Sequence, residues 1–219
     1  MKIKSLPLAL SAFVLCLAAG CTDPANSVPK SSATEPEKAA PVATGTSAGK
    51  EYVVRSDSTI GFTGSKVTGK HDGGFKNFAG ALTVMDGKIT GTPEVKIGLK
   101  SIWADNDKLT GHLKSPDFFD VEKFPVSTFS ITAIEPGDKQ QKVIGNLSLH
   151  GVTKSISFPA AVQIADDAVT VKANFAINRK EFGINYPGKA NDLIRDLVVI
   201  RLDLKATPGP ARPEDQIAN

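Results

Sequence analysis

The sequence contains little cysteine and few aromatic side chains. Among its 219 residues are two cysteines, one tryptophan and two tyrosines, and aromatic residues make up 6% of the chain. Two cysteines cannot build a disulfide-dense scaffold or a zinc site with four thiolate ligands. The net charge of +3 is too small to indicate a nucleic-acid-binding protein. A charged fraction of 22% with a mean hydropathy near zero excludes an intrinsically disordered chain and a protein with many membrane spans.

The first twenty residues have the organisation of a secretory signal. Lys2 and Lys4 precede an apolar stretch at residues 8–17, which is too short for an ordinary transmembrane helix. Small residues then lead to Cys21 in the run AAGC, which resembles a bacterial lipobox. The resemblance implies a lipoprotein signal peptide over residues 1–20 and a diacylglycerol on the Cys21 thiol. The alternative is an ordinary secretory signal that leaves Cys21 as a free thiol.

The predicted cleavage changes the charge and the expected location of the protein. Removal of two lysines leaves 24 basic against 23 acidic residues, and Cys21 becomes the only cysteine. The residue after Cys21 is Thr22 rather than aspartate, so the resemblance offers no signal for retention in the inner membrane. We therefore expect a lipid-anchored protein at the periplasmic face of the bacterial cell envelope, on the outer membrane.

The rest of the chain divides by composition. Residues 21–49 are rich in Pro, Ala, Ser, Thr, Glu and Lys and contain almost no large apolar side chain, which predicts a disordered tether. Residues 208–219 share this bias and are predicted to form a disordered tail. Between them, residues 50–207 are long enough for one domain with its own core.

Apolar and polar residues alternate with a period of two along this domain. In the clearest case, Val169, Val171, Ala173, Phe175 and Ile177 are separated by mostly polar residues. The same alternation predicts strands near residues 95–100, 129–133, 143–149, 156–164 and 198–205. One short helix is expected over residues 106–114, where Leu109 and Leu113 stand four apart. Seven or eight antiparallel strands indicate a barrel or a sandwich, and periodicity alone does not choose between them.

The sequence contains no arrangement typical of a catalytic or metal site. It has no G-x-S-x-G motif and no glycine-rich phosphate loop between a strand and a helix. Ser148 and His150 stand two apart in a strand-like run, so their side chains are expected to share a face. His71, His112 and His150 lack the spacing of a zinc site. The residues therefore predict neither an enzyme nor a metal or other cofactor.

Three segments together carry a family resemblance. Residues 101–103 read SIW and are followed at 111–120 by GHLKSPDFFD; residues 143–154 read VIGNLSLHGVTK; residues 175–184 read FAINRKEFGI, with LIRD at 193–196. Their order and spacing resemble the YceI-like family of periplasmic lipid- or polyisoprenoid-binding proteins, over about residues 52–206. The resemblance implies an all-β fold, an antiparallel lipocalin-like β-barrel of about eight strands with a short helical insertion.

The same resemblance implies a lipid-binding tunnel inside the barrel, holding a polyisoprenoid, an isoprenoid quinone or a fatty-acid derivative. The residues expected to line this tunnel are Phe62, Phe78, Leu82, Ile97, Leu99, Trp103, Phe118, Phe119, Phe129, Leu147, Phe175 and Ile177. The candidates for contacting a polar head group are His112, Lys114, Arg179 and Arg195. Expected partners are this lipid and, through lipidated Cys21, a membrane, but not nucleic acid.

Two other functions remain compatible with the sequence. One is an enzyme that acts on such a lipid, with His112 or His150 as a general base. The other is a non-catalytic interaction module of the cell envelope whose barrel core is filled by its own side chains. A continuous apolar tunnel in the structure would favour the lipid-binding protein.

Overall fold

The computed structural model describes residues 22–38, 49–209 and Ile217. The predicted signal peptide, its lipidation site at Cys21 and most of the predicted tail lie outside these residues. The strands are β1 Lys50–Val54, β2 Thr59–Lys66, β3 Gly69–Phe75, β4 Phe78–Met85, β5 Lys88–Gly98, β6 Ile102–Ala104, β7 Val126–Glu135, β8 Gln141–Leu149, β9 Val152–Ile164, β10 Val169–Asn178, β11 Gly188–Lys189, β12 Asp192–Leu193 and β13 Leu197–Pro208. The helices are α1 Asp107–Lys114 and the 3-10 helices Pro24–Ser27, Leu99–Ser101 and Arg179–Phe182.

Eight of these strands close into an antiparallel barrel. Their order is β1-β4-β5-β7-β8-β9-β10-β13, and β13 pairs back with β1. The edge of β13 that pairs with β1 also pairs with β2, from Val199↔Thr63 to Asp203↔Thr59. Strands β3 and β6 follow β2 in the sheet and extend it toward one end of the barrel. The barrel confirms the predicted fold class, and it resolves the choice between barrel and sandwich that periodicity left open.

The helical insertion begins and ends close to its predicted bounds. Asn106 caps α1, because its side-chain oxygen accepts a hydrogen bond from the backbone N–H of Leu109 at 3.0 Å. Leu113 is buried in the core and Leu109 packs against it, as their spacing of four residues predicts. Within the described ranges, no helix is both long enough and apolar enough to cross a bilayer.

One end of the barrel is closed by a small apolar cluster. Tyr52, Val84, Val169 and Ala206 form its buried centre. The Tyr52 hydroxyl donates to the carbonyl oxygens of Ala165 and Asp166, at 3.1 and 3.2 Å, so its polar atom is satisfied. We call this the closed end. The opposite end carries the β2–β3 turn, α1 and the β11–β12 hairpin, and we call it the mouth.

Residues 22–38 differ from the predicted disordered tether, because they lie along the outside of the barrel. We call this segment the strap. Its backbone bonds to β10, where the Ser31 N–H donates to the Ala176 carbonyl at 2.8 Å, and to β9, where the Thr34 N–H donates to the Ser155 carbonyl at 2.9 Å. Ala25 is fully buried and packs in a cluster with Ala176.

The reason for this docking is a gap in the barrel wall. Strands β9 and β10 pair only from Val169↔Ile164 to Ala173↔Ala160, and beyond this point their backbones separate. The strap lies between them and bonds to both, and Ala33 packs against the main core. Unpaired strand edges need partners, and a chain of small residues can supply them with its backbone. The small number of large apolar side chains in residues 22–38 therefore did not predict whether the backbone of this segment is ordered.

The predicted tail also differs at the residues that the structure describes. Pro208 belongs to β13 and pairs with Tyr52 of β1. Ile217 is buried, and its carbonyl oxygen accepts a hydrogen bond from the Asn77 side chain at 2.9 Å. These residues are held by the barrel rather than frayed from it.

Candidate functional site

A cavity of about 450 Å³ lies inside the barrel and reaches its mouth. Such a volume is typical of small-molecule sites. The inward faces of β2, β5, β7, β8, β9, β10 and β13 supply most of its lining, which is predominantly apolar. Nine of the twelve residues predicted to line a tunnel do line this cavity: Phe62, Ile97, Leu99, Phe118, Phe119, Phe129, Leu147, Phe175 and Ile177.

The other three predicted lining residues lie elsewhere, and for these the prediction was wrong. Phe78 is buried but does not line the cavity, and Leu82 packs against the apolar cluster at the closed end. Trp103 is 40% exposed, because β6 pairs with β3 in a register that places its indole nitrogen over Gly74 on the outside of the wall. Its neighbours Ile102 and Ala104 are buried instead, so the prediction chose the wrong face of this short strand.

Further lining residues were not predicted, although strand alternation could have indicated some of them. Ile156 and Phe158 follow the inward phase of β9, and Ile200 and Leu202 follow that of β13. Phe158 stacks on Phe175 across the cavity wall, with ring centroids 4.0 Å apart. Ile184, Tyr186 and Ile194 come from the loop before β13, where no periodicity marks them.

Arg179 is the one head-group candidate that is both buried and part of the cavity lining. Its side chain is held by three backbone carbonyls, with the Nε, Nη1 and Nη2 atoms donating to Arg195 at 3.1 Å, Ile184 at 2.6 Å and Ile194 at 3.3 Å. Burial lowers the pKa of Arg179, and the negative charge of Asp196 opposes this effect. An arginine remains protonated despite such a shift, so a fixed positive charge lies beside the apolar cavity.

The structure separates the other three head-group candidates. His112 lines the cavity; its Nε2 atom lies 2.8 Å from a carboxylate oxygen of Asp117, and its ring packs edge-on against Phe118 and Tyr186. Lys114 is half-buried at the end of α1 and does not line the cavity. Arg195 points away to the strap, where its Nη1 atom lies 3.6 Å from Asp23.

The β11–β12 hairpin is tied to the mouth by one carboxylate. Asp192 accepts hydrogen bonds from the Lys66 ammonium group and from both the backbone N–H and the hydroxyl of Thr68. The hydrogen bond from Lys66, followed by those from Thr68, lowers the pKa of Asp192 below its ordinary value of 3.8. Lys66, Lys189 and Asp192 line the cavity where it meets solvent.

We expect D192N to lower the free energy of unfolding at neutral pH and to lose this effect in acid. A carboxylate whose pKa is depressed by folding stabilises the protein above its ordinary pKa of 3.8, and the stabilisation is lost as the pH falls through the folded pKa. Urea unfolding of wild type and variant across this range measures the difference. The control is D203N, which removes an exposed partner of Lys172 on the outer wall. An equal difference between wild type and D192N at every pH would contradict the assignment.

The structure separates Ser148 from His150. Strand β8 ends at Leu149, and His150 begins the following turn with φ 52°. The prediction that Ser148 and His150 share a strand face was therefore wrong. The His150 Nδ1 atom lies 3.2 Å from the Phe182 carbonyl oxygen, and its ring packs against Phe124. Among the residues that the structure describes, no cluster of three or more His, Cys, Asp or Glu could hold a metal ion.

Comparison with known proteins links the chain to one family. A model of the YceI-like domain matches residues 52–206. A UPF0312 protein of Pseudomonas putida (strain W619) is 32% identical over 131 residues, which cover 56% of this chain and 68% of the relative. A UPF0312 protein of Pseudomonas syringae pv. tomato is 29% identical over 157 residues, which cover 66% of this chain and 81% of the relative.

Two solved structures share the fold. BcnA of Burkholderia cenocepacia superposes with a TM-score of 0.61 at 22% identity, over 68% of this chain and 96% of its own. A polyisoprenoid binding domain from Saccharophagus degradans superposes with a TM-score of 0.59 at 17% identity, over 74% of this chain and all of its own.

Proposed function

This chain belongs to the YceI-like family, and on that basis we propose that its barrel binds one long-chain amphiphilic lipid, such as a polyisoprenoid, an isoprenoid quinone or a fatty-acid derivative. The observation that carries the proposal is the apolar cavity of about 450 Å³ that runs from the core to the mouth. The fold shared with a polyisoprenoid binding domain from Saccharophagus degradans supports it. A filled-core interaction module, the alternative left open by the sequence, would not need such a cavity.

The cavity supplies the driving force for binding a hydrocarbon chain. Each methylene group that leaves water contributes about 0.8 kcal/mol. Binding must offset the lost motion of the ligand, and a preformed barrel wall reduces that cost because few side chains need to be ordered. Phe129, Phe158 and Phe175 form an aromatic row along the wall, with neighbouring ring centroids 5.6 and 4.0 Å apart. Such a wall suits the flat, unsaturated units of an isoprenoid chain.

Arg179 is the group that we propose for orienting the polar end of the ligand. Its guanidinium has five N–H donors, and three of them are used by backbone carbonyls. The two remaining donors and the positive charge, which Asp196 at 3.8 Å offsets in part, favour an oxygen-bearing head, such as a quinone carbonyl, a carboxylate or a phosphate. His112, near the same end of the cavity, adds a second polar contact.

The mechanism that we propose is shielding and transfer of the lipid without covalent chemistry. The protein would be anchored through Cys21 at the periplasmic face of the cell envelope, on the outer membrane, where hydrophobic chains must be kept from water. We assign no covalent step to His112 or His150, because the His112 Nε2 atom lies against the Asp117 carboxylate and the His150 Nδ1 atom against the Phe182 carbonyl oxygen.

The proposal is tested by titrating the purified protein with a fluorescent prenyl probe and with a fluorescent alkyl probe of similar length. We expect saturable binding of one probe molecule per protein, and competition by unlabelled polyprenol. If the probe binds more weakly to R179K than to wild type, the polar end of the ligand lies at Arg179, because a lysine ammonium group cannot reproduce the planar set of guanidinium donors. No saturable binding of either probe would overturn the proposal.

A further inference from the structure

The strap enters the fold at the mouth of the barrel. Asp23, the second described residue, accepts a hydrogen bond from the Ser65 hydroxyl at 3.5 Å and lies 3.6 Å from the Arg195 guanidinium. Ser65 lines the cavity at this end. The described part of the strap therefore begins beside the mouth.

The rest of the strap fixes this entry point. Beyond its bonds to β10 and β9, it reaches β8, where the Glu37 N–H donates to the Asn146 side-chain oxygen at 2.9 Å. Between these contacts, the Lys154 ammonium nitrogen lies 2.8 Å from a carboxylate oxygen of Glu35. The strap is thus fastened at several points along three strands, so the barrel cannot turn freely about its first residues.

The rim of the mouth carries exposed apolar side chains. Val67 in the β2–β3 turn is 55% exposed, and Leu193 in β12 is 50% exposed. They are neighbours, because the Val67 N–H donates to the Leu193 carbonyl at 3.2 Å. Lys189 is exposed in the adjoining hairpin, and Lys70 is exposed near the tip of β3, on the outer face of the wall beside Asp72. We call Val67, Leu193, Lys70 and Lys189 the rim patch.

We propose that the rim patch docks the protein on an anionic lipid bilayer, so that the cavity opens directly against the membrane. Apolar side chains flanked by lysines suit the boundary between head groups and acyl chains. The strap begins at the same end, where Asp23 contacts Ser65 and Arg195, and this agrees with the orientation. A ligand chain could then pass between bilayer and cavity without crossing water. This inference rests on the proposed function, because transfer of a lipid ligand is the purpose that docking would serve. The docking itself is measured without ligand.

The test places a single tryptophan at the rim of the full chain. Trp103 is the only natural tryptophan, so W103F provides a background without tryptophan fluorescence. V67W and L193W are made in this background, with I164W as the matched control, because Ile164 is 36% exposed at the closed end. Each protein is mixed with vesicles of phosphatidylethanolamine and phosphatidylglycerol that carry brominated acyl chains, which quench a tryptophan on contact.

We expect the tryptophans at positions 67 and 193 to be quenched by about half or more, and the one at 164 to be unaffected. Rim docking predicts weaker quenching when phosphatidylcholine replaces phosphatidylglycerol, because the lysines lose their anionic partners. Equal quenching at the two ends, or none at either, would overturn the proposal. A protein that binds the prenyl probe in solution but shows no rim quenching would refute the docking and leave the proposed function standing.

Discussion

Tryptophans placed at positions 95 and 200 are expected to weaken binding of a prenyl chain about a hundredfold. Val95 and Ile200 lie on β5 and β13, and both line the cavity. Larger side chains at both positions would displace about four methylene groups of the ligand, each contributing about 0.8 kcal/mol, which together correspond to about two orders of magnitude in Kd. Titration of V95W/I200W with the fluorescent prenyl probe measures the loss.

The matched control for this variant is K205W on the same strand. Lys205 is exposed and adjacent to Leu204, which lines the cavity, so residue 205 faces outward. K205W is expected to bind the probe like the wild type. Circular dichroism and the thermal unfolding midpoint establish that each variant is folded. Wild-type affinity in a folded V95W/I200W protein would show that the ligand does not occupy the cavity.

Replacing Arg179 by methionine is expected to lower the free energy of unfolding by about 3–5 kcal/mol. Arg179 is 4% exposed, and the loss of its side chain leaves three carbonyl oxygens near the hairpin and the start of β13 without their donor. Methionine keeps much of the volume, so the loss reports mainly on hydrogen bonds rather than on packing. Urea unfolding measures it.

The neighbouring residue supplies the control. The Lys180 ammonium lies 2.9 Å from Asp196, the same carboxylate that lies 3.8 Å from Arg179, but both partners in the Lys180 pair are substantially exposed. K180M is therefore expected to change the free energy of unfolding by less than about 1 kcal/mol. Similar effects of R179M and K180M would mean that Arg179 acts only through its charge.

The strands and the helix were predictable because buried positions recur at a regular spacing along each of them. Ala173 and Phe175 are buried on either side of exposed Asn174, and the cap at Asn106 follows from residue type, so β10 and α1 could be placed from the sequence. Trp103 shows the limit of this reasoning. Three residues of β6 give too short a pattern to fix which face is inward, and its pairing with β3 decides the matter.

The strap was not predictable from composition, because its order depends on a gap elsewhere in the chain. Ala25 and Ala33 are poor signals for burial on their own, yet Ala33 packs against the main core beside the separation of β9 and β10, and Ala25 packs with Ala176 and Val199. The buried guanidinium of Arg179 is a similar case. Its three acceptor carbonyls belong to residues 184, 194 and 195, and only the fold of the loop before β13 brings them together.

The most direct test of the central claim is native mass spectrometry of the protein purified from the cells that naturally produce it. The account predicts a mass above that of the polypeptide by one lipid molecule, which dissociates on collisional activation and is identified in the organic extract as a long-chain isoprenoid or acyl lipid. The adduct should be absent from V95W/I200W. A wild-type protein that carries no lipid, from cells that contain such lipids, would contradict the account.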